Sequence, residues 1–221
     1  MEALPVAGAL EALEAIRISG ATRLAMLTGR PLRELLELVG DLGMPMAGSH
    51  GFEFLGPGGS IETGHLTPQQ ESRLQEAERQ ARSVTGSARV ERKPASVGLH
   101  TRGMPEDEAR ELHDSVSAIW RDGATALDLE CRMFSGGVEL RLKSAHKGTA
   151  LGRLLEGRGA AALCVYVGDD ETDEDAFAAL PDTGIGIKVG PPGVQTRAPG
   201  RLDDPHAVKE FLETWIAVTA R

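Results

Sequence analysis

The sequence is short of cysteine, of clustered basic charge and of long apolar runs, and each shortage excludes something. Of 221 residues only Cys131 and Cys164 are cysteines, both inside apolar, strand-like runs and without the spacing of a metal-ligand set. They read as buried free thiols rather than a bridge. Against 33 acidic residues stand 24 basic ones, for a net charge of −9, with no lysine–arginine stripe able to track a phosphate backbone. Nucleic acid is therefore not an expected partner. No apolar run approaches the roughly 18 residues of a membrane span, and MEALPVAGALEAL has neither the basic nor the long apolar region of a signal peptide. The expectation is a cytoplasmic protein with no membrane contact.

What is present suffices for a packed interior, 41% of residues being apolar. Pro5 to Ile18 places Val6, Leu10, Leu13 and Ile16 at helical spacing, and RLAMLT reads as a short buried strand ending in TGRP. Pro31 opens the helix PLRELLELV, with Gly40 as its C-cap, and PMAGSHG reads as a second strand. The alternation returns after residue 147 with helix KGTALGRLLEG, strand AALCVYV, short helix DAFAAL, strand GIGIKVG and a last helix from Pro205 to Val218. Such alternation predicts a parallel sheet covered on both faces, a three-layer α/β core. The middle differs. FEFLGPGGSIET reads as a hairpin, 68–83 as a helix, ARVERKPASVGLHTR as a strand and 105–121 as a helix. ATALDLECRMF and GVELRLK follow as strands joined at Ser135 to Gly137. That pattern predicts an antiparallel α+β cap over 54–143, inserted between core segments 1–53 and 144–221.

The chemistry concentrates in VYVGDDETDEDAF, where Asp169, Asp170, Glu171, Asp173, Glu174 and Asp175 follow an apolar strand. Six carboxylates so close repel unless a helix N-terminus, water or a cation offsets them. Helix capping by Asp173 with solvated neighbours is the plain explanation. The functional one is that the carboxyl end of a parallel strand borders the ligand crevice of an open α/β sheet. There Asp169 and Asp173 can meet at a hard cation such as Mg2+, which takes carboxylate, water and phosphate oxygens. Thr28-Gly29-Arg30-Pro31 stands at another strand-to-helix junction and offers a hydroxyl and backbone N–H groups to an anion. Lys147-Gly148-Thr149 opens a helix, adding a point charge to its positive end. Hydroxyl, lysine and paired carboxylates together describe a Mg2+-assisted phosphoryl-transfer site.

In order and spacing, LTGRP, AGSHGFE, ERKPASVGLHTR, GGVELRLKSAHKGTAL and VYVGDDETDEDAF resemble the successive motifs of trehalose-6-phosphate phosphatases, members of the haloacid dehalogenase superfamily. The GDDxTDEDAF form is far more specific than the superfamily's general GD. The resemblance implies a Rossmann-like core with an inserted cap and hydrolysis of trehalose 6-phosphate to trehalose and phosphate. It also implies Mg2+ as cofactor, a small sugar phosphate as substrate and a trehalose-6-phosphate synthase in the same pathway. It assigns Thr28 to the phosphoryl group, Lys147 to the charge of that group and its nucleophile, and Asp169, Asp173 and the adjacent Asp170 to the metal. Arg30 and His50 are expected at the cleft, and Lys93, His100, Arg102 and Glu139 of the cap near the glucose hydroxyls or the phosphate. A site built to hydrogen-bond hydroxyls rejects molecules that lack them. Without the resemblance, Lys93 and Arg102 read as solvated strand charges, His100 as a surface histidine and Gly48 to Gly51 as strand-end packing.

One family feature has no counterpart. The first motif, a strand ending in DxDGT, supplies the nucleophilic aspartate and the acid–base aspartate, and no such motif occurs in the 221 residues. Without it no aspartyl-phosphate can form. The start MEALPV corresponds to the helix after that motif, so the expectation is a start truncated relative to a working protein, with an open slot in the parallel sheet. Losing about four buried aliphatic side chains at about 1.5–3 kcal/mol each forfeits about 6–12 kcal/mol, which rivals a domain's whole stability of about 5–15 kcal/mol. Two alternatives stand beside the family activity: another sugar-phosphate phosphatase, such as one for sucrose phosphate, and a sugar-phosphate binding protein without catalysis.

Overall fold

A computed structural model of the chain describes residues 4–134, 136–157 and 162–219. It is a mixed α/β structure in which parallel pairing and antiparallel pairing are segregated, as the two sequence patterns predict. Helix α1 (Ala9–Ser19) ends at Gly20 in the left-handed conformation and leads to β1 (Met26–Leu27). Helix α2 (Leu32–Val39) follows, stopped at Gly40, and β2 (Met46–Gly48) pairs parallel with β1, Met26 opposite Met46. Two short strands, β3 (Glu53–Leu55) and β4 (Ile61–Thr63), form the expected hairpin. That hairpin is hydrogen-bonded to β2 and so extends the core sheet in the order β1-β2-β3-β4, rather than joining the antiparallel sheet of the cap.

The segment expected as a cap contributes α3 (Pro68–Thr85), β5 (Val90–Lys93), β6 (Ser96–His100), α4 (Glu106–Arg121), β7 (Leu129–Phe134) and β8 (Gly137–Leu142). Its sheet has the order β5-β6-β8-β7, antiparallel throughout. The single strand expected over Ala88 to Arg102 is instead two, β5 and β6, reversed tightly at Pro94 and Ala95 so that Lys93 faces Ser96. Proline explains the break, because it has no N–H to give to a ladder. The strand expected over Ala124 to Phe134 begins only at Leu129, after a 3-10 turn over Thr125–Leu127 and Asp128 at φ 55°. The expected β7–β8 turn includes Ser135, and the expected strand AALCVYV includes Ala161; both residues lie outside those described.

The chain then returns to the core through α5 (Lys147–Leu155), β9 (Cys164–Gly168), α6 (Glu174–Ala179), β10 (Gly184–Val189), β11 (Gly200–Leu202) and α7 (Pro205–Thr219). Strands β11-β10-β9 form a second parallel sheet, of which β11 carries no strand pattern in the sequence. Among the described residues β1 and β9 each pair on one side only, so the core's parallel strands fall into two groups. Leu27 of β1 nevertheless packs with Leu151, Tyr166, Ala176 and Phe177, which joins the groups through side chains. None of the described helices is long and apolar enough to cross a membrane.

Strand alternation gives the cap sheet two different faces. Val97, Leu99, Val138, Leu140, Leu129 and Cys131 point into an apolar core with Leu74, Ala77 and Trp120 of α3 and α4. Ser96, Gly98, Glu139, Arg141, Glu130 and Arg132 occupy the other face, in register across β6, β8 and β7. Every residue of β8 is buried, so the polar face too is covered, and what covers it is the core. Trp120 is fully buried and its indole N–H donates to the carbonyl of Ala77 at 3.1 Å. Trp120→Ala is expected to cost about 3–5 kcal/mol, read as a lower urea midpoint with unchanged slope; a shift worth less than about 1 kcal/mol would show that this cluster does not hold the cap.

Candidate functional site

Thr28 to Pro31 form the loop between β1 and α2. The Thr28 N–H donates to the carbonyl of Ala47 at 2.9 Å, and its Oγ1 accepts the Arg30 N–H at 3.1 Å, which leaves the hydroxyl proton to donate elsewhere. The first N–H of α2 is taken up by the chain itself. Pro31 has no N–H, and the Leu32 N–H donates to Glu53 Oε2 at 3.1 Å, an oxygen that also accepts the Ser49 hydroxyl at 2.6 Å. A buried carboxylate of the chain's own thus meets the first N–H of α2 and fixes the loop. The exposed Arg30 side chain lies along α2, 3.6 Å from Glu34, and not over the loop.

His50 stands over this loop. It adopts the left-handed backbone conformation, φ 59°, next to Ser49 at φ 47°, a pairing rare for residues with side chains. Its ring lies so close to Gly29 that a Cβ there would come within 2.6 Å of the imidazole, which is why the loop needs glycine. Its Nε2 lies 3.1 Å from Glu139 Oε2 on β8, both side chains being buried, and its Nδ1 is buried without a partner among the described residues. Glu139 Oε1 accepts the Ser96 hydroxyl at 2.7 Å and the Lys93 ammonium at 3.2 Å. Burial pushes the Glu139 carboxyl up, but the His50 hydrogen bond, the Lys93 charge and the Ser96 hydroxyl outweigh it and hold the group far below the usual carboxylate range. Glu139 is therefore a carboxylate, and His50 donates through Nε2–H.

The remaining cap candidates divide. His100 Nε2 lies 2.7 Å from Glu91 Oε2, and its ring meets Phe134 edge-on at 5.3 Å. Glu91 is held below its ordinary value by that bond first and by Lys93, 3.8 Å away, among the lesser causes. His100 thus borders the Lys93–Glu139 cluster through Glu91. Arg102 lies beyond the end of β6, exposed and beside Gly136, and is not among the residues gathered round Glu139.

On the core side, Lys147 opens α5 with its ammonium buried and 2.7 Å from Asp173 Oδ1. His146 caps this helix, its Nδ1 accepting the N–H groups of Gly148 and Thr149. Asp173 Oδ1 also accepts the Tyr166 hydroxyl at 2.6 Å, and Oδ2 accepts the Asp170 N–H at 2.9 Å. Burial opposes ionisation of Asp173, yet the Lys147 charge and these bonds lower its pKa, while burial and the Asp173 charge push the Tyr166 hydroxyl well up. Asp170 caps the following turn by accepting the Glu171 N–H at 2.7 Å. Lys188, a buried lysine on β10, donates to the carbonyls of Asp169 and Asp170 at 2.8 and 2.9 Å and pins the acidic turn from below.

The expected metal ligands are therefore not equivalent. Asp169 is exposed at the end of β9, Asp170 is a cap and Asp173 is engaged by Lys147 and Tyr166. Among the described residues no group of three His, Cys, Asp or Glu side chains is placed to hold a metal. The chemistry fits a hard cation held by one carboxylate, Asp169, with water and phosphate oxygens completing the shell. Glu53, Ser96, Tyr166 and Lys188 escaped the sequence reading. The signal for two of them is a lone charged residue inside an apolar strand, as in FEF and GIGIKVG.

A family model described as trehalose-phosphatase matches residues 1–205. A trehalose-phosphate phosphatase of Mycobacterium marinum is 33% identical over 223 residues, covering 95% of this chain and 55% of the relative. An uncharacterised glycosyl hydrolase of Mycobacterium tuberculosis is 36% identical over 223 residues, covering 94% of this chain and 16% of the relative. The chain thus spans about half the length of the first and a small part of the second. In fold it is similar to the C-terminal domain of the Candida albicans trehalose-6-phosphate phosphatase, with a TM-score of 0.86 at 20% identity over 98% of this chain and 86% of that one.

The depressed Glu139 and Asp173 carboxyls, with Glu91, make stability depend on pH. Each contributes stability above the unfolded value of about 4 and loses it as pH falls through and below that value. Glu139→Gln is expected to lower the urea midpoint at pH 7 and to flatten the decline between about pH 5 and pH 3. An acid limb as steep as that of the parent chain would remove Glu139 from the account.

Proposed function

The chain belongs to the trehalose-phosphatase family, and on that premise we propose that its site recognises trehalose 6-phosphate and serves its hydrolysis to trehalose and phosphate. The observation that carries this reading is the position of Glu139. It is a cap carboxylate ringed by Lys93, Ser96 and His50, and through the His50 ring it is joined to Gly29 of the loop after β1. A phosphoryl group alone needs cations and donors, which Thr28 and Lys147 supply. A buried carboxylate and a histidine suit a ligand that also brings hydroxyl donors.

Under this reading Thr28 donates to a phosphoryl oxygen, and Lys147 neutralises charge on that group while Asp173 holds the ammonium in place. Lys188 and the Asp170 cap keep the acidic turn fixed as charge develops. Mg2+ held at Asp169 would supply charge neutralisation at the phosphoryl oxygens. Glu139, Lys93 and His50 hold the sugar, with His100 behind Glu91 at the edge. Such contacts distant from the reacting bond accelerate only substrates that carry the sugar. A synthase making trehalose 6-phosphate would be the partner activity in the pathway, and the cap of this reading would begin after the β3–β4 hairpin rather than at residue 54, because that hairpin is hydrogen-bonded to β2.

The absence of Asp-x-Asp-Gly-Thr from the 221 residues favours a second reading for this chain taken by itself, sugar-phosphate binding without turnover. It makes the test direct, since the substrate can be titrated without being consumed. In calorimetry, residues 1–221 are expected to bind trehalose 6-phosphate and inorganic phosphate and to release no phosphate from the ester. Glu139→Ala should weaken trehalose 6-phosphate by about tenfold or more and leave phosphate nearly unchanged, whereas Lys147→Ala should weaken both. Phosphate release that Asp169→Ala abolishes would overturn the binding-only reading, and equal losses on both ligands for Glu139→Ala would overturn the role given to the cap.

A further inference from the structure

Strand β8 touches the core at two points two residues apart, on one face. The first is Glu139 on His50. The second is Arg141, whose side chain is only 2% exposed and whose Nη2 lies 3.1 Å from Asp175 Oδ2 in the first turn of α6. Glu130, opposite Arg141 on β7, accepts its Nε at 3.0 Å and its Nη2 at 2.7 Å, which fixes the guanidinium from the cap side. Arg132 on β7 adds a second guanidinium 3.6 Å from Asp175 Oδ1. The seam therefore holds two cations against two carboxylates, with Asp175 the only one of the four that belongs to the core.

Asp175 is placed to transmit that contact. Its carbonyl lies so near Gly148 that a Cβ there would come within 2.5 Å of it, so the first turn of α6 rests directly on the first turn of α5, next to Lys147. Two residues before it, Asp173 holds the Lys147 ammonium. The acidic turn is thus gripped from two sides, by Lys147 on Asp173 and by the cap on Asp175. Neither capping nor metal binding uses Asp175, although it sits in the same acidic run.

We propose that Arg141 is a positioning residue that registers the cap against the core through Asp175. It would set the position of Glu139 and its partner His50 between cap and core without touching the ligand, while Lys147 keeps its own hold on Asp173. Removing one partner of a buried charge pair leaves the others unpaired and loosens both sides. Two contacts on one strand define a line, so losing the second lets β8 pivot about Glu139. Phosphate alone would hardly sense this, whereas a ligand spanning core and cap would.

Amide hydrogen exchange and calorimetry on the 221-residue chain test this. Arg141→Met is expected to speed exchange over residues 171–179 by about tenfold, Asp175→Asn to do the same, and Arg141→Lys to fall between. The combined variant Arg141→Met with Asp175→Asn should fall well short of the sum of the two, because the Arg141–Asp175 contact is lost in each, whereas Arg132–Asp175 and Arg141–Glu130 are each lost in only one. Trehalose 6-phosphate affinity should fall by about tenfold, with inorganic phosphate within about twofold. This ligand arm rests on the sugar-phosphate reading. If the parent chain fails to bind trehalose 6-phosphate, that reading falls, and exchange alone decides the anchor. Should Arg141→Met not fold, Asp175→Asn and Arg141→Lys carry the test, since both keep a cation in the seam. Unchanged exchange over 171–179 in a folded variant, additive losses in the double variant, or equal weakening of both ligands would overturn the proposal.

Discussion

A carboxylate taken out of water must be surrounded by donors, and the seam between cap and core is organised by that requirement at Glu139. Three donors from two parts of the chain meet there: Lys93 and Ser96 from the cap and His50 from the core. Burial would otherwise protonate the group, and the balance instead holds it ionised. The same requirement explains the unusual backbone at Ser49 and His50, whose left-handed geometry aims the imidazole up at the cap. It also explains Gly29, since only a residue without a side chain lets the ring settle onto the loop. The cap sheet and the Thr28–Gly29 loop are thereby tied into one structure.

The acidic turn after β9 obeys the same rule with signs exchanged. Lys147 and Lys188 are buried ammonium groups, and each has its acceptors: Asp173 for one, the carbonyls of Asp169 and Asp170 for the other. Crowding six acids after β9 is tolerable because they do different work. Asp173 pairs with Lys147, Asp170 caps a turn and Glu174 accepts from Thr196 and Arg197. Asp175 meets the cap arginines, and Asp169 and Glu171 stay exposed. Arg141 and Glu53 extend the pattern, one holding the cap and the other holding the loop before α2. Buried pairs of this kind contribute little net stability, but breaking one is costly, so they set geometry more than they add free energy.

Much of the fold was legible because its signals are periodic. The α2, α5 and α7 segments carry helical spacing with proline or glycine at their ends, and the cap strands alternate apolar and polar residues so regularly that their two faces can be assigned by counting. Local reading failed where pairing is decided by distant neighbours. Nothing in GFEFL says that its strand will join β2, nothing in ERKPAS but Pro94 says that the chain reverses, and the three residues of β11 are too few to show a period. The site followed the same division. Thr28, Lys147, Asp169 and Glu139 could be found as motif residues, and the structure gathers Lys93 and His50 round Glu139 but leaves Arg30 and Arg102 outside. Glu53, Tyr166, Lys188 and Arg141 act through partners 4 to 34 positions away, and sequence spacing carries no record of such pairings.

The central claim is that the seam reads phosphate and sugar as one ligand. Comparing the affinity of the 221-residue chain for trehalose 6-phosphate, glucose 6-phosphate and inorganic phosphate under one set of conditions tests it most directly. The account predicts that the disaccharide phosphate binds about tenfold or more tightly than the other two and that phosphate competes with it. Equal affinity for all three, or binding of trehalose 6-phosphate that saturating phosphate leaves untouched, would contradict it.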